Sequence, residues 1–504
     1  MLRRPFALER AWPLHGAAGT RRLEREGAQA PASGAAPSDL MQRAGAAVAR
    51  LALAIAPHAQ QVWVAAGPGN NGGDGMVAGR LLKQAGKEVC VSLAADPAEL
   101  PADALSAWRQ AVQEGVRFVT GALPPPALGP QDLAIDAVLG LGANRPPALA
   151  LAALLDALSD LPCAVLAVDL PSGLNPDTGR STGDWSVRAT HTLSLLTLKP
   201  GLFTGDGRDH AGEIWFDDLD VDAGGVPADA WLPPPPVAMA ERRHAQHKGS
   251  FGDVAVVGGA HGMVGGALLA ARAAHAAGAG RVHVDLLHPD PVDLDHARPE
   301  LMFRHGWWRS QTAALLAHTT VVAGCGGGRA VAEALPSLLS NAPRLVLDAD
   351  ALNRIAEEAA LQSLLEARSG RGRETVLTPH PLEAARLLDR DTLAVQADRL
   401  AATQALSERF RCVVLLKGSG SIVAVPGEAP CINPTGNAAL ATAGTGDVLA
   451  GWLAGTWSAQ DDTAHDAARH AAWWHGHAAD VSDSTVLRAA DLVEVLHRLQ
   501  RRRC

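Results

Sequence analysis

Four consecutive prolines, at 233–236, constrain how this 504-residue chain can fold more than any other stretch. Each proline lacks a backbone N–H, and its ring clashes with the preceding turn. No helix interior and no central strand can run through four of them. The wider stretch Gly224-Gly-Val-Pro-Ala-Asp-Ala-Trp-Leu-Pro-Pro-Pro-Pro236 therefore predicts a stiff, extended connector. A chain of this length exceeds one ordinary hydrophobic core, and each flank is long enough for a domain. The expected division is a first domain at 1–228, a linker at 229–237 and a second domain at 238–504.

On both sides short apolar runs alternate with helical patterns. In the first half 61–66, 89–93, 133–138 and 164–168 read as strands, with helices at 76–85 and 149–158. In the second, 253–257, 282–286, 320–323, 344–347 and 413–416 read as strands, with helices at 263–277 and 392–409. Such alternation predicts α/β architecture, two three-layer α/β/α domains with mostly parallel sheets, and ligands at the carboxyl ends of the strands. The halves share no sequence period, which points to a fusion rather than a duplication. An Ala- and Gly-rich composition with few aromatics suits close-packed layers of this kind.

The net charge of −9 argues against a general nucleic-acid binder, and Arg501-Arg-Arg503 reads as a solvated tail. Cys90, Cys163, Cys325, Cys412, Cys431 and Cys504 show no metal-ligand spacing and read as reduced thiols. Met1-Leu-Arg-Arg-Pro5 lacks the apolar core of a signal peptide, and no uninterrupted apolar run is long enough for a membrane. The expectation is a cytoplasmic protein with neither nucleic-acid nor membrane partners.

Two glycine-rich stretches carry chemistry. Gly67-Pro-Gly-Asn-Asn-Gly-Gly-Asp-Gly75 follows a strand and precedes a helix, but its spacing is not that of a dinucleotide fingerprint. Two amides and an acid among glycines suit a site holding both a polar ligand and a hard cation. Two further strands end in polar loops, Asp136-Ala-Val-Leu-Gly140-Leu-Gly142-Ala-Asn-Arg145-Pro and Asp169-Leu-Pro-Ser172-Gly173. A doubly wound sheet brings all three ends to one rim. Asp136 and Ser172 can complete an oxygen cage there, Asp169 is a candidate general acid/base, and Arg145 can pair with phosphate. In the second half, Gly444-Thr-Gly446-Asp447 runs straight into a helix-forming segment. Glycines there let N–H groups converge on an anion at a helix N-terminus, and Asp447 adds a carboxylate beside it. That is an arrangement for phosphoryl transfer to a hydroxyl.

Leu40-Met-Gln-Arg-Ala-Gly45, the stretch 67–75, Asp136 to Arg145 and Val168-Asp-Leu-Pro-Ser-Gly173 together resemble the NAD(P)H-hydrate epimerase domain. The resemblance implies a Rossmann-like fold, a bound K⁺ and interconversion of the two C6 epimers of hydrated NADH and NADPH. It implies K⁺ at Asn71, Asp136 and Ser172. It implies the hydrated nucleotide at Asn70, Asn71, Gly72, Gly73, Asp74, Gly140, Leu141, Gly142, Ala143, Asn144, Arg145, Pro146 and the catalytic Asp169. Gln42 stands where that family commonly has Glu.

The second half is similar to the ADP-dependent NAD(P)H-hydrate dehydratases of ribokinase-like fold. The likeness rests on His247-Lys-Gly249, Val256-Val-Gly-Gly259, Val264-Gly-Gly-Ala267, Asp348-Ala-Asp-Ala-Leu-Asn353, Thr378-Pro-His-Pro-Leu-Glu383, Leu416-Lys-Gly-Ser-Gly420 and the stretch ending in Asp447. It implies that phosphate passes from ADP to the C6 hydroxyl and is then eliminated, with Mg²⁺ at the site. Asp447 would be the general base, and Gly446 with Lys417, Gly418, Ser419, Gly420 and Ser421 would hold the nucleotide. His380, Ala267 and Gly326 would meet the hydrated substrate. The family's Gly-Pro-Gly-Leu-Gly-like loop here reads Gly324-Cys-Gly-Gly-Gly328. The partners implied are the two hydrates and ADP, in a homo-oligomer. The competing reading is a ribokinase-like kinase of a hydroxymethyl heterocycle whose first half is a non-catalytic nucleotide-binding scaffold. His475 and His477 lack a metal-ligand partner set, and the Trp307-Trp308 and Trp473-Trp474 pairs read as packing.

Overall fold

The computed structural model describes residues 2–4, 10–29, 40–120, 127–142, 149–183, 185–237, 242–309, 313–460 and 462–501. The chain divides into two compact units, Met1–Pro234 and Pro235–Cys504.

The first unit contains strands β1 (Trp12–Leu14), β2 (Gln61–Ala66), β3 (Glu88–Leu93), β4 (Arg117–Thr120), β5 (Leu133–Ala137), β6 (Ala164–Val168), β7 (His191–Leu195), β8 (Glu213–Asp217) and β9 (Ala230–Leu232). Seven of them form one sheet in the order β4-β3-β2-β5-β6-β7-β8, with parallel pairing throughout. Successive side chains alternate between its faces, as a strand's period of two requires. Val62, Val64, Ile135 and Val168 enter one core, whereas Trp63, Ala65, Ala134 and Ala167 enter the other. Burial on both faces is what makes these strands read as unbroken apolar runs. The chain order reverses about β2, which opens a crevice at its carboxyl end.

Two sequence expectations change here. The helix after β2 begins at Asn70, not at 76, and runs to Gln84. Its glycines permit this because they sit against backbone and core: a Cβ at Gly72 would lie 2.1 Å from the Gly67 carbonyl oxygen. Inside the stretch read as linker, 230–232 form β9, antiparallel to β1. Ala230 and Leu232 point inward while Trp231 faces out, so period-two burial holds the strand until the prolines begin.

The second unit contains β10 (Asp253–Gly258), β11 (Arg281–Leu286), β12 (Met302–Phe303), β13 (Thr319–Ala323), β14 (Arg344–Leu347), β15 (Glu374–Leu377), β16 (Val413–Leu416), β17 (Ile422–Ala424) and β18 (Cys431–Ile432). They lie in the order β18-β17-β16-β15-β14-β13-β10-β11-β12. Pairing is parallel from β16 to β12, and β17 and β18 add an antiparallel edge. Val254, Val256, Val322 and Val346 pack beneath Val264–Ala276 and Thr445–Ala459. Ala255, Val257, Val321 and Leu345 pack against helices on the opposite face. The helix expected at 392–409 is two, Thr392–Ala397 and Arg399–Phe410. Asp398 breaks it by accepting the Ala401 N–H at 2.9 Å, as an N-cap does. No helix among the described residues is long and apolar enough to cross a membrane.

Candidate active sites

At the carboxyl end of β2, β5 and β6 the first unit encloses a cavity of about 700 Å³. Asn70, Asn71 and Asp74 reach it from the first turns of the helix Asn70–Gln84, Gly140, Leu141 and Gly142 from the loop after β5, and Asp169 from the end of β6. The expected ligand residues Gly72 and Gly73 are instead buried in packing, where a Cβ on Gly73 would strike the Met41 side chain at 2.5 Å. Ala143, Asn144, Arg145 and Pro146 lie outside the described residues.

Asp136 and Ser172 are both fully buried. The Ser172 N–H donates to Asp136 Oδ2 at 2.8 Å, and its hydroxyl to Oδ1 at 2.6 Å. Burial pushes the Asp136 carboxyl up to about 6 in spite of those bonds. Asn71 stands beside Gly140, where a Cβ would lie 3.4 Å from Asn71 Oδ1. The buried Asn71 amide nitrogen has no hydrogen-bond partner. A buried amide left in that state is costly, which suits a group completed by a ligand.

Asp169 adopts a left-handed backbone, φ +70°, sparsely populated for a residue with a Cβ. Its N–H bonds the Leu193 carbonyl at 2.8 Å, and its carboxylate accepts the Leu195 N–H at 3.1 Å. That carboxylate also pairs with Lys199, which is fully buried and further donates to the carbonyls of Leu195 and Thr197 at 2.7 and 3.0 Å. Glu24 and Asp74 line the same cavity. Burial, then the nearby Asp169 charge and, for Asp74, Glu24, raise both carboxyls, Asp74 far above its ordinary range. One cavity thus holds an ion-paired carboxylate and a carboxyl biased toward its protonated form, the pattern that separates base from acid. Lys199 and Glu24 escaped sequence reading because each lies far along the chain from the motifs.

In the second unit Gly444 caps the helix Thr445–Ala459 with φ +91°, placing Asp447 in its first turn. A Cβ on Gly446 would sit 3.3 Å from Lys417 Nζ. Lys417, at the end of β16, donates to Asp348 Oδ1 at 2.6 Å, and the Thr378 hydroxyl donates to the same atom at 2.8 Å. The Cys325 sulfur, one Asp348 oxygen and one Asp447 oxygen lie within 4.8 Å of one another. Burial, with the Asp348 charge adding, pushes Asp447 up to about 6. Lys417 shows the opposite balance: burial opposes its charge, but Asp348 and Glu383 outweigh burial and raise it.

His380 caps the helix Pro381–Leu388, its Nδ1 accepting the N–H groups of Leu382 and Glu383 at 3.1 and 3.2 Å. The Glu383 carboxylate returns the bond by accepting the His380 N–H at 2.7 Å. Burial pushes Glu383 up to about 7. Gly418, Ser419, Gly420 and Ser421 form the turn between β16 and β17. Buried Arg399 donates to the carbonyls of Lys417 and Gly420 at 3.3 and 3.5 Å. Ala267 differs from expectation, being wholly buried in the core. Its neighbour Gly266 makes the approach instead, since a Cβ there would lie 3.3 Å from Asp447 Oδ1 and 3.1 Å from the Gly326 N–H nitrogen. His475, passed over in the sequence for want of a metal set, donates to the Thr445 carbonyl at 2.9 Å, and burial holds it down to about 4. It steadies the turn that presents Asp447.

Two family models match the chain, one in each half. Residues 254–501 match the family model of NAD(P)H-hydrate dehydratase, and 37–201 match that of the YjeF-related protein N-terminus. The chain is 35% identical over 500 residues to the bifunctional NAD(P)H-hydrate repair enzyme Nnr of Escherichia coli (strain K12), covering 95% of this chain and 92% of that one. The namesake of Coxiella burnetii is 35% identical, covering 91% and 93%. A solved ADP/ATP-dependent NAD(P)H-hydrate dehydratase from Bacillus subtilis aligns at 26% identity and TM-score 0.43, covering 53% of this chain and 94% of that one.

Proposed function

The chain belongs to the bifunctional NAD(P)H-hydrate repair enzymes, which unite epimerase and dehydratase activities, and we propose that each activity has its own centre, Asp169 in residues 1–228 and Asp447 in residues 238–504. The residues between, 229–237, join them. The observation that carries this reading is the convergence of Asp447, Lys417 and Asp348 at one glycine-lined helix N-terminus.

In the dehydratase, Asp447 takes the proton of the C6 hydroxyl as that oxygen bonds to the terminal phosphorus of ADP and AMP departs. The phosphate ester then leaves as inorganic phosphate, a ring proton is lost and the nicotinamide double bond returns. A carboxyl near 6 is ionised at neutral pH and still basic enough to accept that proton. Charge neutralisation does most of the work in phosphoryl transfer; Lys417 and the N–H groups of the first helical turn provide it. Gly418, Ser419, Gly420 and Ser421 cradle the nucleotide, while His380 and Gly326 orient the hydrate. Mg²⁺ would enter with the ADP phosphates, which together with waters would supply most of its ligands, and would add to the neutralisation of phosphate charge.

In the epimerase, Asp169 takes the proton of the C6 hydroxyl as the C6–N1 bond breaks to give an aldehyde and N1 gains a proton; reclosure of N1 on the other face of the aldehyde returns both protons and inverts C6. Asn70, Asn71, Asp74 and the glycines of the loop after β5 hold the nucleotide. Asn71, Asp136 and Ser172 each carry an oxygen that could hold K⁺, and the ion would supply a fixed positive charge beside the substrate. The reading also carries a cytoplasmic location and a homo-oligomer, the latter measurable by light scattering.

The test supplies mixed hydrate epimers with ADP. The native protein consumes both completely. Asp447→Asn forms no NADH yet still binds ADP and exchanges epimers, and Asp169→Asn stops epimer exchange alone. Turnover retained by Asp447→Asn overturns the assignment of the base.

A further inference from the structure

Cys325 is the second residue of the loop Gly324-Cys-Gly-Gly-Gly328, and its thiol is part of the cluster around Asp447. The side chain is fully buried. Its backbone is pinned from both sides: the Cys325 carbonyl accepts the Gly259 N–H at 3.0 Å, and the Gly324 N–H bonds the Val257 carbonyl at 3.1 Å. Gly324 and Gly326, with φ +116° and +57°, turn the chain tightly about it. Lys417 and Thr378 both occupy Asp348 Oδ1, and the Cys325 thiol donates to Asp348 Oδ2 at 4.0 Å. An Asp447 oxygen completes the group within 4.8 Å.

We propose that Cys325 is a positioning residue for dehydration: its S–H, donated to Asp348 Oδ2 with Asp447 on its other side, draws on the Asp348 charge that opposes ionisation of Asp447 and so favours the proton-accepting form of that carboxylate. The idea rests on Asp447 as the base. Burial first, then the charges of Asp447 and Asp348, raise the thiol well above its ordinary range, so it is a neutral donor at working pH. The charged groups bearing on Asp447 are Asp348 and Asp350, which disfavour its ionised form, and Lys417, which favours it. The thiol joins Lys417 in that role. His475 meets the same turn as a neutral ring.

The test is the pH profile of kcat for ADP-dependent dehydration in the native enzyme, Cys325→Ala and Cys325→Ser. Removing the donor raises the carboxyl, so the acid limb of Cys325→Ala moves to higher pH by about half a unit, the worth of one weak hydrogen bond. KM for ADP stays unchanged. A serine hydroxyl keeps a donor, so Cys325→Ser retains the native limb or moves it lower. A purely packing role would lower kcat equally at every pH. Superimposable limbs for Cys325→Ala and native enzyme overturn the proposal, as does an upward shift in Cys325→Ser, which stands as the test if the alanine variant does not fold. Failure of the base assignment looks different: Asp447→Asn would then keep its turnover whatever the Cys325 variants do.

Discussion

Replacing Lys199 by methionine removes the buried cation that faces Asp169 while keeping most of the side chain's volume. Lys199 is fully buried, and the Asp169 side chain is 11% exposed where it meets the cavity. Breaking a buried pair from one side costs about 3–5 kcal/mol, because the surviving charge loses its partner. Contact with the cavity lets water reach Asp169, so the lower end applies, about 3 kcal/mol. For a unit of this size that lowers Tm by about 6–12 °C. Thermal unfolding followed by circular dichroism, alongside epimer exchange by chromatography of the two hydrates, reads both consequences. Lys199→Met should lose exchange and melt early. Adding Asp169→Asn should return much of the lost stability, since no lone charge remains, but none of the exchange. The reasoning fails if Lys199→Met melts with the native protein, or if the double variant is less stable than Lys199→Met alone.

Dehydration should also depend on pH through Asp447. Its carboxyl is raised to about 6 and the ionised form is the active one, so activity is present above that pH. Below it, kcat should fall about tenfold per unit, measured as initial NADH formation from purified hydrate; a flat profile down to pH 5 would count against Asp447. Arg399→Met removes the donor that ties the carbonyls of Lys417 and Gly420 to the helix Arg399–Phe410. KM for ADP should rise about tenfold, equivalent to 1.4 kcal/mol, with kcat changed much less; equal loss in both would place Arg399 in the chemistry instead.

Much of the architecture was legible because the strands are buried on both faces. Runs such as 164–168 and 413–416 are apolar throughout and bounded by polar turns, and their limits match β6 and β16. Boundaries that depend on a partner were not legible. The short strand β9 needs β1, more than two hundred residues away, to satisfy its backbone. The helix Asn70–Gln84 starts early because glycines that look like loop residues fit closely against Gly67 and Met41.

For the sites, sequence alone determined the residues whose chemistry is local: glycines and an acid at a helix start, Gly444 to Asp447, and amides, an acid and strand-end carboxylates around 70–74, 136 and 169. Backbone geometry at a helix N-terminus is set by neighbours in the chain, so its meaning survives without a structure. Only the tertiary structure decided which charges confront those residues. Lys199 under Asp169, Asp348 beneath Lys417, Cys325 beside Asp447 and His475 against Thr445 are separated in sequence and joined by sheet order and helix packing. Burial and opposing charge act through distance in space, and those terms move the carboxyls from ordinary surface acids to groups able to hold or accept a proton.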